Sequence, residues 1–130
     1  MNVEKSDFLG RHWKVILFLV WLAASAYFLI ERSHAIRWFS LGDTDDNMRI
    51  MQVRALMHGQ DWYDLRQYRL DPPHGANMHW SHLVDLPIVG IILLTKPFFG
   101  ELMAERIAVS IAPLFPLGVA LVGLGLTARR

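Results

Sequence analysis

Residues Val15–Ile30 read VILFLVWLAASAYFLI, sixteen positions without a charge. That run decides the fold class. In a 130-residue chain that is 53% hydrophobic, a soluble domain would scatter its apolar residues periodically among charges, whereas here they come in blocks. With Trp13 added, the block approaches the ~20 mostly apolar residues, within about 17–25, that a membrane-crossing helix needs. The competing interpretation is a cleaved signal peptide, with Lys5, Arg11 and Lys14 as its basic start and Ala24-Ser25-Ala26 as its cleavage site. Apolarity continues past Ala26 through Tyr27-Phe28-Leu29-Ile30, which favours an uncleaved anchor.

Two further blocks lie downstream. Ile107–Thr127 has no charge over twenty-one residues, and Leu83–Phe99 carries only Asp85 near one end and Lys96 near the other. A lysine near a helix end can snorkel toward the headgroups. The expectation is therefore an all-α integral membrane protein of about three transmembrane helices, near residues 13–30, 83–99 and 107–127, forming a single membrane region. There is no cysteine, so disulfides and thiolate metal sites are excluded, and a net charge of +1 gives no case for nucleic acid. Charge alone leaves the topology open. Lys5, Arg11, Lys14, Lys96 and Arg106 would share one side, whereas the arginines of the long connector and of the C-terminus would share the other.

The connector, residues 31–82, is far longer than a turn requires, and long connectors in compact proteins are usually functional or disordered. Trp38, Phe39, Trp62, Tyr63, Tyr68 and Trp80 argue for order. Asp43 to His58 reads as a helix, with Asp43 or Thr44 as its cap, acids in its first turn and His58-Gly59 as its stop. Asp45 and Arg49 stand four apart in the favourable orientation and are expected to pair. Asp45, Arg49 and Gln52 would form one polar stripe. Met48, Met51 and Ala55 would line one apolar arc, and Ile50, Val53 and Met57 another. Beyond it, Pro72-Pro73 and Gly75 forbid a continuous helix and are expected to make a rigid strap, with Trp80 at the membrane interface.

Three chemistries suit the cluster Asp43, Asp45 and Asp46. The commonest is helix capping with surface charge. A second is a cation site, since Asp43 and Asp45 form a D-x-D triplet of hard oxygen ligands suited to Mg²⁺ or Mn²⁺. The third is a general base raised by its like-charged neighbours. His74, His79 and His82 lack the usual helical zinc spacing and read better as headgroup or loop contacts. Arg49, Arg54, Arg66 and Arg69 offer forks for a phosphate, or partners for the loop's acids. Asp85, at the start of a span, is either a functional carboxylate or a headgroup-layer residue.

The order of these features resembles the N-terminal part of GT-C superfamily membrane glycosyltransferases, nearest to the catalytic subunits of oligosaccharyltransferases. Many of those carry a first-loop motif like D-P-Y-Y-H-x-R and later P-x-G-x-x-x-x-W-x-P-L-x-D. Here DTDDNMR supplies Asp43 and Arg49 at the same spacing, and PHGANMHWSHLVD supplies Pro73, Gly75, Trp80, Leu83 and Asp85. The tyrosines of the first motif are Asp45 and Asp46, and the proline before the leucine is His82. The resemblance implies transfer of a sugar from a polyprenyl-phosphate-linked donor to an acceptor, with Asp43 as the first-loop catalytic carboxylate, either as a base or, with Asp45, as a ligand of the donor's metal. Arg49, Asp46 and Asp85 would support the donor phosphate or the site. It also implies a bacterial inner membrane, a cytoplasmic N-terminus and a periplasmic first loop. Members of that superfamily have many more spans, so this chain is expected to be an N-terminal portion that is inactive alone. The alternative is a small non-enzymatic membrane protein whose first loop binds a partner or lipid headgroups.

Overall fold

The computed structural model describes residues 3–128 and is mostly helical. It falls into two compact units, one built from the residues up to Ser33 together with those from Pro113 on, the other from His34–Ala112.

The first unit contains α1, Val3–Glu31, and α6, Leu114–Thr127. Two helical stretches of the chain are long and apolar enough to cross a membrane, Gly10–Glu31 and Glu101–Thr127. At 1.5 Å per residue Gly10–Glu31 extends ~33 Å, against a hydrocarbon layer of ~30 Å. The two helices of this unit run antiparallel. The indole N–H of Trp21 donates to Leu114 O at 2.9 Å, and Gly118 faces the same indole, whereas Gly125 faces Leu17 and Trp13 nearer the start of α1. Glycines at these positions let two helices approach closely.

The second unit is organised around α3, Thr44–Met57. Asp43 caps it in an extended conformation, His58 closes it, and Gly59 follows at φ +97°, as the sequence leads one to expect. A short α2, Ser33–Trp38, precedes it. Of the two apolar arcs on α3, the one bearing Ile50 and Val53 faces inward. Both residues are buried with Ile88 and Ile92 of α4, Leu86–Phe99, and with Ala104 and Ala108 of α5, Glu101–Ile111. Alanines on α5 take up little space beside α3 and α4, and both are completely buried.

Expected and observed helices differ in the C-terminal half. The polar connector expected between residues 99 and 107 is the single residue Gly100, at φ +76°, a conformation only glycine adopts without strain. Helix α5 therefore starts at Glu101 and absorbs Glu105 and Arg106. Two ion pairs make this possible: Lys96 reaches Glu101 across the turn at 3.3 Å, and Glu105 is neutralised by Arg54. The break comes later, at Ala112–Pro113, where Pro113 and Pro116 remove two backbone donors from the helical ladder. Helix α4, at fourteen residues, extends only ~21 Å, shorter than the ~30 Å hydrocarbon layer.

The strap is a two-stranded hairpin with a long loop. Arg66–Gln67 (β1) pairs antiparallel with Ala76–Asn77 (β2), and the tip turns through Asp71 at φ +55° and Gly75 at φ +74°. A Cβ on Gly75 would lie 3.0 Å from the Tyr68 ring and 3.1 Å from Arg66 Cβ, so glycine is needed there for space as well as for dihedral. A turn of 3-10 helix, His82–Val84, links the hairpin to α4.

Candidate functional site

The first turn of α3 gathers the acids. Asp43 Oδ1 accepts from the backbone N–H of Asp46 at 2.9 Å, and Asn47 Nδ2 donates to Asp43 O at 2.6 Å. The cap satisfies one of the four N–H groups that a helix start leaves unpaired, and three carboxylates sit against the positive end of the helix dipole. Asp43, Asp45 and Asp46 are all exposed. Among the described residues, no three His, Asp or Glu side chains converge as a metal-binding group.

One turn further on, the helix meets the strap. Arg49 was expected to pair with Asp45. Its Nη1 donates instead to Asp85 Oδ1 at 2.7 Å. The reason is desolvation: Asp85 is fully buried and needs a counter-charge, whereas Asp45 is solvated and gains little from one. The Arg49 guanidinium also stands 4.8 Å from the centre of the Trp80 ring, in cation–π distance. Thus Arg49, from the first motif, touches Trp80 and Asp85, from the second. Trp80 is half-buried, and its indole N–H donates to His79 Nε2 at 3.0 Å.

The second oxygen of Asp85 lies 3.0 Å from Nδ1 of His82. His82, expected as a headgroup or loop contact, is only 1% exposed, with the Trp62 ring 5.5 Å away. Gln52 departs in the same direction. Placed on a polar stripe by its spacing from Arg49, it is buried, its Nε2 donating to Trp80 O at 3.3 Å. His82 Nε2 and Gln52 Oε1 are both buried without a hydrogen-bond partner among the described residues.

The arginines expected as a phosphate clamp are largely committed. Arg54 forks onto Glu105, Nε to Oε1 at 2.7 Å and Nη2 to Oε2 at 2.6 Å. This hydrogen bonding holds the Arg54 pKa above its ordinary value. Arg66 stands 4.0 Å from Asp64, and exposed Arg69 has no carboxylate partner among the described residues. The carboxyl of Asp64 titrates below its ordinary range, chiefly because the Tyr68 hydroxyl donates to it at 2.7 Å.

Neither His82 nor the Arg54–Glu105 pair was legible from motif spacing. The available signal for Glu105 was its position: a carboxylate within an apolar helix requires a partner, and Arg54 on the core-facing side of α3 is a suitable one. Comparison with protein-family models, with curated proteins and with solved structures finds no significant match for the chain.

Proposed function

We propose that the chain is the N-terminal portion of a GT-C-like membrane glycosyltransferase that transfers a sugar from a polyprenyl-phosphate-linked donor to an acceptor. Helix α1 and the Glu101–Thr127 stretch lie in a bilayer, the bacterial inner membrane in this reading, and Leu83–Phe99 completes the membrane region. Support for insertion comes from the apolar residues both stretches leave exposed, among them Phe18, Leu22, Phe28, Phe115, Val119 and Leu124. In water that surface would be unfavourable by ~25 cal/mol for every Å². The N-terminus is cytoplasmic, and the connector faces the periplasm, where the lipid-linked donor is presented.

The observation that carries the reading is the junction of the two motifs: Arg49 holds both Trp80 and Asp85. Two gapped signatures some thirty residues apart thereby form one neighbourhood beside the acid-bearing turn. In this site Asp43 is the catalytic carboxylate. One of its oxygens serves the cap, and the other has no partner among the described residues. Mg²⁺ commonly takes one or two carboxylates, with waters and substrate phosphates completing its shell, and exposed Asp43 and Asp45 fit that partial role. The ion, Mg²⁺ or Mn²⁺, would neutralise charge on the departing phosphate. Arg49, Asp46 and Asp85 fix the turn that carries Asp43.

The test uses membranes containing the full-length chain and a polyprenyl-phosphate-linked sugar. Asp43→Asn keeps a capping oxygen but lacks the carboxylate charge, and it should abolish transfer while leaving insertion and stability intact. Transfer at the unmodified rate would refute the assignment. One observation favours the non-enzymatic alternative, in which the loop binds a partner or lipid headgroups: the Asp43 cap bond already gives that residue a structural task. On that reading Asp43→Asn changes nothing measurable.

A further inference from the structure

His82 Nδ1 lies 3.0 Å from Asp85 Oδ2. An ionised carboxylate only accepts, so Nδ1 carries the hydrogen. In the neutral ring Nε2 is then a bare acceptor, and it is buried with no partner among the described residues. Asp85 also accepts from Arg49, so the dyad is braced from its far side. A carboxylate that fixes one imidazole nitrogen and leaves the other as a lone pair is the arrangement by which histidines serve as general bases. The Trp62 ring stands tilted beside the imidazole, 5.5 Å between centroids, and is itself 41% exposed. It sits in a short turn held by Asp61, whose carboxylate accepts from Tyr63 N at 2.8 Å. In the second motif His82 occupies the place of a proline, so this dyad is not carried over from the family the chain resembles.

We infer that His82 is a general base that accepts a ligand hydroxyl at Nε2 when Trp62 moves aside. The identity of that hydroxyl rests on the function proposed above, where it belongs to the sugar acceptor. The acceptor O–H bond breaks and its proton passes to Nε2. The oxygen's electron pair forms the new bond to the sugar's anomeric carbon, while the bond from that carbon to the phosphate oxygen breaks and its pair leaves with the polyprenyl phosphate. The imidazolium so formed is held against Asp85.

Two measurements test this. In the detergent-solubilised full chain, the ¹⁵N spectrum of the His82 ring should show the Nδ1-protonated tautomer. Acylation of His82 by diethyl pyrocarbonate should be slow, and much faster in Trp62→Ala. The opposite tautomer, or a His82 rate indifferent to Trp62→Ala, overturns the inference whatever the reaction is. For transfer, His82→Asn retains an N–H for Asp85 but offers no acceptor at the Nε2 position. It should fold, keep its thermal midpoint within a few degrees, and lose sugar transfer. If it transfers at the unmodified rate, His82 merely holds Asp85 and the inference fails. Absence of transfer by the unmodified full-length protein would instead sink the proposed function and leave the spectroscopic and acylation arms to decide the dyad.

Discussion

Arg49→Ala removes the strongest partner of a carboxylate that has no access to water. Asp85 is 0% exposed, and its two oxygens are served by Arg49 and His82. Breaking a buried pair from one side leaves an uncompensated charge, at a cost of about 3–5 kcal/mol. The Arg49 side chain is 25% exposed, so it can reach solvent if its partner is lost, whereas Asp85 cannot follow. This asymmetry fixes an order. In Asp85→Asn the amide oxygen still accepts from Arg49. The amide N–H₂ can donate to His82 Nδ1 once the ring proton moves to Nε2. The loss is then that of one charge-assisted hydrogen bond, about 1.5–3 kcal/mol. The decisive variant is the double one. Asp85→Asn introduced into Arg49→Ala removes the stranded charge and should recover about 1–2 kcal/mol relative to Arg49→Ala alone. The assay is denaturant unfolding in detergent, followed by tryptophan fluorescence, to which Trp80 beside Arg49 contributes as one of five tryptophans. If Asp85→Asn lowers the stability of Arg49→Ala still further, the account of a charge held in a dry pocket is wrong.

Other predictions follow from single contacts. Asp43→Ala removes the α3 cap and should cost about 1 kcal/mol in the same assay, with Asp43→Ser restoring most of it. Gly75→Ala meets both a positive φ and contacts at 3.0–3.3 Å with Tyr68 and Arg66, so it should cost more than the roughly 1 kcal/mol of a left-handed residue alone and should perturb amide exchange at Ala76 and Met78. Asp64 titrates below its ordinary value of 3.8 when folded. Its contribution is therefore complete above the unfolded value and is lost as pH falls through the folded one. A plot of midpoint against pH should steepen on the acid side, and Asp64→Asn or Tyr68→Phe should flatten that limb.

The legible parts of the fold are those fixed by neighbours in sequence. The α3 boundaries follow from an acid at the cap and a glycine after the last turn, both local chemistry. The long apolar stretches follow from run length. The partners of charged residues were not legible in this way. Spacing assigned Arg49 to Asp45, four residues away, yet its partner is Asp85, thirty-six residues on. Local spacing measures opportunity, whereas the choice between two acids is set by which one loses its water. The same reasoning explains Gln52 and Arg106, whose polarity marked them as part of a polar stripe and of a short loop before burial and an extended α5 placed them otherwise. Within the candidate site, Asp43, Arg49, Trp80 and Asp85 could be named from motifs. The lone pair on His82 emerges only when three-dimensional contacts assign its other nitrogen.

The unit carrying these residues is unusual in what it buries. Among the described residues of His34–Ala112, seven apolar residues are buried beside five polar or charged ones: Gln52, Gln67, His82, Asp85 and Glu105. Two of the seven are alanines, and the rest amount to Ile50, Val53, Met78, Ile88 and Ile92. A core this small contributes modestly, since each large aliphatic side chain is worth about 1.5–3 kcal/mol when buried. Replacing buried ion pairs with hydrophobic residues of matching volume is often neutral or stabilising, so stability does not account for Arg49–Asp85 or Arg54–Glu105. What such pairs contribute is direction: Arg54 forks onto Glu105, an arrangement that tolerates little rotation, and Arg49 holds Asp85 by one short hydrogen bond. Both pairs originate on α3, at Arg49 and Arg54, and end on the helix entry at Asp85 and on α5 at Glu105. Two such attachments on one fourteen-residue helix fix its rotation as well as its position, and with them the direction in which its first turn presents Asp43. A charge-neutral variant carrying Leu or Met at Arg54 and Glu105, where no third polar group is left without its partner, should therefore fold with equal or greater stability and weaken whatever the acid-bearing turn does. A variant that kept both stability and function would show that this pair does not orient α3.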